Sequence, residues 1–188
     1  MSTRAWQVEP VEAAEIPAAD AESVARTILL RELTGQARSR FELAERLRKK
    51  NVPQEIADEL LVRFEEVGLI DDSAFAREWI ASRQPSRGLA RRALAVELRR
   101  KGIDDEVAHE ALSVIEPEVE DETARMMVRL RLRRMTGLPR EVQIRRLVAM
   151  LARKGYGPGM SLSIVKSEIG FSDETYEGRN AHMPQSCA

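Results

Sequence analysis

The sequence predicts an all-α protein built from tandem three-helix repeats. The composition gives the first support, because the 188 residues are 32% charged and only 4% aromatic, which favours helices and leaves few strand-forming side chains. Apolar residues also recur at helical spacing along most of the chain. Finally, one helix pattern occurs three times, at offsets of 51 and then 53 residues. The sequence therefore argues strongly against an all-β fold.

Each repeat begins with a helix that carries two leucines four residues apart and ends in a basic turn. The leucine pairs predict one buried stripe per helix, and the residue after each basic turn is of a type that tolerates a left-handed backbone. Ser39 and Glu42 have the spacing of a capping box at the start of the first repeat. The leucine pairs are Leu43/Leu47, Leu94/Leu98 and Leu147/Leu151, followed by Asn51, Gly102 and Gly155.

The helices that follow complete each repeat. Asp71 and Asp72 provide good chemistry for a helix start, which makes the segment from Asp71 the third helix of the first repeat. The third repeat is predicted to stop after its second helix, near Gly170. The predicted segments are a disordered N-terminal tail (1–20), an N-terminal helix (21–37), three repeats (38–85, 86–137 and a truncated 138–171) and a disordered C-terminal tail (172–188).

The sequence also indicates a cellular compartment. The single cysteine, Cys187, excludes a disulfide framework and a multi-cysteine zinc site. The longest apolar run, 147–152, is far shorter than the ~18 residues of a membrane span, and residues 1–20 lack the apolar region of a signal peptide. We therefore predict a cytoplasmic protein.

The formal net charge of −1 conceals blocks of opposite sign. Residues 1–80 carry a net charge of −5, 81–101 of +6, 102–122 of −9, 123–154 of +9 and 155–188 of −2. A block of one sign is usually a solvated helix face, but two strongly basic blocks in one chain favour an anionic partner.

No motif supports catalysis or cofactor binding. No glycine is followed by lysine, so a Walker-type phosphate loop is absent from the sequence. His109 lacks the second histidine of a zinc-protease motif, and His182 lies in the predicted tail. The sequence therefore predicts no enzyme, no cofactor and no metal site.

One motif carries a resemblance to a known family. Gly68-Leu69-Ile70-Asp71-Asp72, followed by Phe75-Ala76, lies between repeat units that end in Lys-Lys-Asn and Arg-Lys-Gly-Ile. This arrangement resembles the RecX family of bacterial regulators of the recombinase RecA, over about residues 24–171. Asn51 departs from the glycine that is commoner at the first turn.

The resemblance implies both a shape and a function. It implies an elongated, curved helical array, which tandem helical units can form, lodged in the groove of the RecA filament on single-stranded DNA. It also implies inhibition of ATP hydrolysis, strand exchange and co-protease activity, and so modulation of recombination, DNA repair and the SOS response. We expect a monomer that acts without a membrane.

Basic residues on successive repeats are the candidate binding surface. Arg125, Arg129 and Arg133 recur every four residues and share one helix face, and no glutamate interrupts the segment from Thr123 to Arg140. We expect this face to contact phosphates or an acidic recombinase surface. The full candidate set is Arg91, Arg92, Arg99, Arg100, Lys101, Arg125, Arg129, Arg133, Arg145 and Arg146, with structural roles for Asn51, Gly68, Asp71, Asp72, Phe75, Gly102 and Gly155.

Two other readings use the same residues. A helical-repeat protein could contact DNA directly, with no recombinase partner, or it could be a scaffold without nucleic-acid contacts. The scarcity of aromatic residues argues against base stacking on single strands. Binding to bare DNA and to a recombinase filament at matched salt separates the three readings.

Overall fold

The computed structural model describes residues 18–180, with side chains for residues 20–170. Within this range the chain forms nine α-helices and no strand, so the all-α prediction is confirmed. The helices are α1 (Ala18–Gly35), α2 (Arg40–Lys49), α3 (Gln54–Glu66), α4 (Asp72–Arg87), α5 (Arg91–Arg100), α6 (Asp105–Ser113), α7 (Pro117–Leu132), α8 (Arg140–Arg153) and α9 (Pro158–Asn180).

Polar side chains begin several of these helices. The Ser39 hydroxyl accepts a hydrogen bond from the Glu42 amide at 3.2 Å, as the predicted capping box requires. The Asp71 carboxylate accepts from the Ala74 amide at 2.8 Å, and Asp104 caps α6 in a similar way. Each side chain pairs a backbone amide that has no partner inside the helix.

The three related helices α2, α5 and α8 end in the same turn. Asn51, Gly102 and Gly155 have φ values of 58°, 74° and 92°, so the predicted left-handed positions are confirmed. The amide of Val52 donates to the Leu47 carbonyl at 3.2 Å, and the same six-residue bond closes the other two turns. These are Schellman motifs, which pair the last carbonyls of a helix.

The chain divides into two compact units, Met1–Ile70 and Asp71–Ala188. In the described part of the first unit, α1, α2 and α3 surround one apolar core. The predicted N-terminal helix is therefore part of a three-helix bundle. Its largest fully buried side chains are Leu29, Leu43, Leu47, Leu60 and Leu61.

The second unit contains two apolar cores. Helices α4, α5 and α6 surround one of them, and α7, α8 and α9 surround the other. The first core includes Phe75, Ile80, Leu94, Leu98 and Leu112. The second includes Val128, Leu147, Leu151, Ile164 and Val165.

This packing corrects the predicted repeat boundaries at 85/86 and 137/138. The helix predicted to end the first repeat is α4, and its Phe75 belongs to the same buried cluster as Leu94 and Leu98 of the next helix, α5. Likewise α7, predicted to end the second repeat, packs with α8 and α9. Periodicity reveals that a three-helix cycle repeats, but only burial shows which helix opens each bundle.

The C-terminal boundary also differs from the prediction. Helix α9 continues to Asn180, whereas the sequence pattern ends the last repeat at 171 and predicts a disordered tail from 172. Residues 172–180 have no apolar period to mark them, but extending an existing helix is far easier than starting one. The predicted disorder of 1–17 and 181–188 lies outside the described residues.

Over residues 18–180, no helix combines the length and apolarity that a bilayer crossing requires. The same part of the chain holds no group of three or more His, Cys, Asp or Glu side chains placed to bind a metal ion.

Candidate functional site

A groove in the second unit combines apolar and cationic side chains. It lies between α5, the C-terminal half of α8 and the first residue of α9, and has a volume of about 570 Å³. We call it the α5–α8 groove. Its lining residues are Leu89, Arg92, Ala93, Val96, Glu97, Arg100, Val148, Ala152, Arg153, Gly155, Tyr156 and Pro158.

A close backbone approach holds the two sides of this groove together. A Cβ placed on Gly155 would lie 2.6 Å from the Ala93 Cβ and 2.7 Å from the Ala93 nitrogen, so only glycine permits this contact. The Ala90 amide donates to the Lys154 carbonyl at 2.9 Å. The turn after α8 is thereby attached to the first turn of α5.

Tyr156 supports the groove from within the protein. Its side chain is buried, and its hydroxyl donates to the Gly88 carbonyl at 3.3 Å. Burial, assisted by the nearby negative charge of Glu120, raises the pKa of Tyr156 to about 12. The phenol therefore stays neutral and structural at physiological pH.

Three arginines rim the groove without carboxylate partners. Arg92, Arg100 and Arg153 are exposed, and none forms an ion pair with any side chain that the structure describes. Unpaired guanidinium groups beside an apolar floor can bind carboxylates or phosphates through charge-assisted hydrogen bonds.

The single carboxylate in the groove lining is already engaged. Glu97 accepts a hydrogen bond from Trp79 Nε1 at 3.0 Å, and Arg83 and Arg87 lie 3.9 Å and 3.8 Å from it. Its negative charge is therefore directed toward α4 and does not neutralise the arginine rim.

Three of the predicted binding residues instead make contacts within the protein. The guanidinium of Arg91 lies 3.4 Å from Glu120, and that of Arg99 lies 2.8 Å from Asp105. The Lys101 ammonium lies over the Trp79 ring, 4.5 Å from its centroid, a favourable cation–π geometry. These cations link helices of the second unit.

Two of the three arginines of the proposed α7 face, Arg125 and Arg129, also form ion pairs within the protein. Arg125 and Arg129 both contact Glu168 of α9, at 3.4 Å and 2.8 Å, and Glu168 is 5% exposed. Arg125 also pairs with Asp121, and Arg129 with Glu122 at 3.1 Å. The acidic partners that the sequence segment lacks come from the preceding turn and from a distant helix.

These contacts affect the ionisation of both arginines. The hydrogen bond to Asp121, with a contribution from Glu168, raises the pKa of Arg125 above its usual value. The hydrogen bonds to Glu168 raise the pKa of Arg129 in the same direction. Both groups therefore remain charged and hold α7 against α9.

The remaining candidates are exposed cations. Arg133, Arg145 and Arg146 have no carboxylate partner among the described side chains. Arg145 precedes Val148, a groove residue, by three positions, so both lie on the same side of α8. Of the ten predicted residues, the structure thus brings Arg92 and Arg100 into one site and places Arg145 on the helix face that leads to it.

The sequence interpretation left out Arg153. Arg153 lies in the last turn of α8, where a cation is favourable beside the negative end of the helix dipole, so its position has a local structural explanation. The internal alignment offered the missing signal, because Arg153 occupies the same repeat position as Arg100. Both arginines line the α5–α8 groove.

The structural residues of the quoted motif connect the two units along the chain. Gly68, with φ of 71°, ends α3, and Ile70 is buried in the first core. Asp71 then caps α4, and Phe75 enters the next core. The motif therefore encodes the end of one bundle and the start of another.

The fold and the groove define a class of protein: a helical-repeat protein with an arginine-rimmed groove. The family models for the first and second three-helix domains of RecX match residues 25–64 and 71–112. Regulatory protein RecX of Streptomyces coelicolor is 51% identical over 161 residues, covering 86% of each chain. That of Thermobifida fusca is 46% identical, covering 77% of this chain and 78% of the relative.

The chain therefore belongs to the RecX family of regulatory proteins, as the quoted motif predicts. Two solved structures share its fold. The crystal structure of RecX from Lactobacillus salivarius has a TM-score of 0.73 and 21% identity, covering 80% of this chain and 97% of that one. A second crystal structure of regulatory protein RecX has a TM-score of 0.72 and 23% identity, covering 88% and 81%.

Proposed function

We propose that this protein binds the RecA filament on single-stranded DNA in the cytoplasm and inhibits the recombinase. The inhibited activities would be ATP hydrolysis, strand exchange and co-protease function, so the protein would modulate recombination, DNA repair and the SOS response. Membership of the RecX family supports this function. The observation in the structure that supports it best is the set of unpaired arginines around the α5–α8 groove.

A nucleoprotein filament offers the chemistry that such a groove would bind. Phosphates and acidic side chains both accept hydrogen bonds from guanidinium groups. Arg92 and Arg100 are separated by two helical turns on α5, and Arg153 faces them from the end of α8. Because no described carboxylate pairs with these three arginines, their positive charge remains available to a partner.

The test is a charge reversal in the groove. We expect the triple variant Arg92→Glu, Arg100→Glu, Arg153→Glu to need about tenfold more protein for half-inhibition of filament ATPase at moderate salt. The salt dependence of the remaining inhibition should also decrease, because fewer charge contacts form. The assay is ATP turnover by RecA on single-stranded DNA as the inhibitor is titrated.

A matched control changes the same charge elsewhere. Arg31, Arg77 and Lys166 are exposed, lie outside the groove, and pair with no described carboxylate. Their triple replacement by glutamate should leave inhibition within about threefold of the wild type. If the groove variant inhibits as well as the wild type, the groove is not the inhibitory surface.

Binding to bare DNA tests the alternative. A filament regulator should prefer the filament to the same single-stranded DNA without recombinase, at one salt concentration. Equal binding to both would instead indicate a DNA-binding protein that needs no recombinase partner. Absence of salt-sensitive binding to either would indicate a scaffold.

A further inference from the structure

We propose that the α5–α8 groove docks an acidic amphipathic helix of a protein partner, and does not bind the sugar-phosphate backbone. The segment would insert apolar side chains over Val96 while its carboxylates pair with the flanking arginines. This inference deepens the proposed function, and it rests on that function only in assigning the docked segment to the recombinase protein.

The floor of the groove favours a protein ligand. Val96 is 42% exposed although it lies near the middle of α5, and Ala93, Val148 and Ala152 line the same groove. Apolar surface of this kind gains about 25 cal/mol for each Å² that a partner removes from water. A phosphate or sugar would leave that gain unused.

The arrangement of the arginines fits a helix. Arg92 and Arg100 are eight residues apart on α5, which corresponds to about 12 Å along the axis, and Val96 lies halfway between them. Carboxylates spaced two turns apart on a second helix, with an apolar residue between them, would match this order. Helix-in-groove recognition commonly uses anchors at such spacing.

The groove lacks the features of a single-strand binding site. Proteins that bind single strands stack bases on exposed aromatic rings. Tyr156 is the one aromatic residue in the groove lining, but it is 4% exposed and its hydroxyl is bonded to Gly88. No ring in this groove is therefore available to stack a base.

A smaller groove in the first unit shows why the α5–α8 groove is the candidate. It has a volume of about 190 Å³, with Arg48 in its lining. Arg48, however, donates two hydrogen bonds of 2.9 Å to Glu45, another lining residue. Its cation is neutralised inside the groove, whereas Arg92, Arg100 and Arg153 are not.

The test uses a defined probe and the full-length protein. The probe is a fluorescein-labelled helical peptide of about 15 residues, with leucines on one face and glutamates flanking them. Its controls are a scrambled peptide of the same composition and an oligothymidine of about 15 nucleotides. We expect the amphipathic peptide to bind at least about tenfold more tightly than the scrambled peptide.

Two valine variants locate the site. Val96→Asp should weaken peptide binding about tenfold, since it replaces apolar contact with a charge that repels the carboxylates. Val114→Asp is the matched control, because Val114 is 68% exposed in the same unit and does not line the groove. It should change peptide affinity less than about twofold, and circular dichroism should show both variants folded.

The outcomes separate this inference from the proposed function. Equal affinity for the two peptides, or unchanged peptide affinity in Val96→Asp, would overturn the docking proposal. Tighter binding of oligothymidine than of the amphipathic peptide, lost in the Arg92→Gln, Arg100→Gln variant, would overturn it in favour of phosphate.

The same variants are then assayed for inhibition of filament ATPase. Loss of inhibition in Val96→Asp but not in Val114→Asp supports docking on the recombinase. Peptide binding by a wild-type protein that does not inhibit the filament would overturn the proposed function and leave the groove's specificity standing. Inhibition of the filament by a protein that binds the two peptides equally would overturn the docking proposal and leave the proposed function standing.

Discussion

Helix α2 of the first unit and helix α5 of the second bury equivalent pairs of leucines and end in the same kind of turn, but only α5 also carries arginines without a carboxylate partner among the described side chains. In the first unit, Arg46 lies 3.5 Å from Glu32, and Arg48 lies 2.9 Å from Glu45. In the second unit, Arg92 and Arg100 of α5 have no carboxylate partner among the described side chains.

The difference follows from where the acidic residues lie. Helix α1 supplies Glu32 to the first bundle, and α2 supplies Glu45 from its own sequence. In the second unit, Glu97 is the only acidic residue of α5, and Trp79 and two α4 arginines engage it. Equivalent helices of the repeat thus pair every arginine in one bundle and leave two arginines without a described carboxylate partner in the other.

The largest effect that we expect concerns the turn after α2, at Asn51, and the equivalent turn after α8, at Gly155. Gly155→Ala should destabilise the protein by about 3 kcal/mol, because the new Cβ would meet the Ala93 backbone and because φ of 92° is strained for alanine. Asn51→Ala at the equivalent turn should cost only about 1 kcal/mol, since its strain is local. Urea unfolding followed by circular dichroism measures both changes.

A third substitution separates strain from the close contact. Gly102 shares the positive φ of 74°, so Gly102→Ala reports the backbone cost at a second turn. If Gly155→Ala destabilises no more than Gly102→Ala, the approach of Gly155 to Ala93 does not hold the groove together.

The second prediction concerns Glu168 and Glu32, which form ion pairs with arginines in the second and the first unit. Glu168→Ala should destabilise the protein by about 2 kcal/mol, since it removes a buried carboxylate from two arginines. Glu32→Ala in the first unit should cost less than about 1 kcal/mol, because Glu32 is more exposed and its loss leaves solvated partners. Thermal or urea unfolding at low and high salt checks the order.

If Glu32→Ala destabilised the protein more than Glu168→Ala, the ion pairs of Glu168 with Arg125 and Arg129 would contribute little to stability. In that case Arg125 and Arg129 would be available to a partner, as the sequence interpretation held. Their replacement by glutamine should then reduce filament inhibition, whereas our assignment predicts a loss of stability with inhibition retained.

The smallest effect that we expect is a pH dependence of stability at Tyr156, which Val52, the residue after the equivalent turn, cannot have. Val52 does not titrate, whereas Tyr156 ionises near pH 10 when unfolded and only at about pH 12 in the folded protein. Since the unfolded state loses the proton first, the contribution of Tyr156 is complete below pH 10 and declines as the pH rises from 10 to 12. We expect a loss of about 1 kcal/mol at pH 11.

Tyr156→Phe isolates this contribution. The variant should be less stable than the wild type at pH 8, by about 1 kcal/mol for the lost hydrogen bond. The difference between the two proteins should shrink from pH 10 to pH 11. A constant difference over that range would show that the phenol is not buried as described.

Local sequence patterns predict much of the fold. The leucine pairs, the Asp71 cap and the left-handed turns at Asn51, Gly102 and Gly155 are confirmed, because each depends on residues within one or two helical turns. The family was also identified from a short motif. The assignment of α4 to the second bundle was not predicted, since periodicity is the same whichever helix opens the cycle.

The candidate site was predicted only in part. The charge blocks of the sequence single out Arg92 and Arg100, and the structure places both at the groove. The sequence does not single out Arg153, and it predicts a binding face that includes Arg125 and Arg129, because charge patterning considers neighbours in sequence alone. Glu168 follows Arg125 by 43 residues, so no local pattern connects them.

By itself, the sequence determined that this protein is helical, where most of its helices begin and end, and which repeat positions carry positive charge. Those properties depend on hydrogen bonds and periodicities that extend over a few residues. Only the tertiary structure decided which cations remain unpaired. That outcome depends on which distant helix faces pack together, and therefore on whether a carboxylate such as Glu168 or a groove floor such as Val96 lies opposite each arginine.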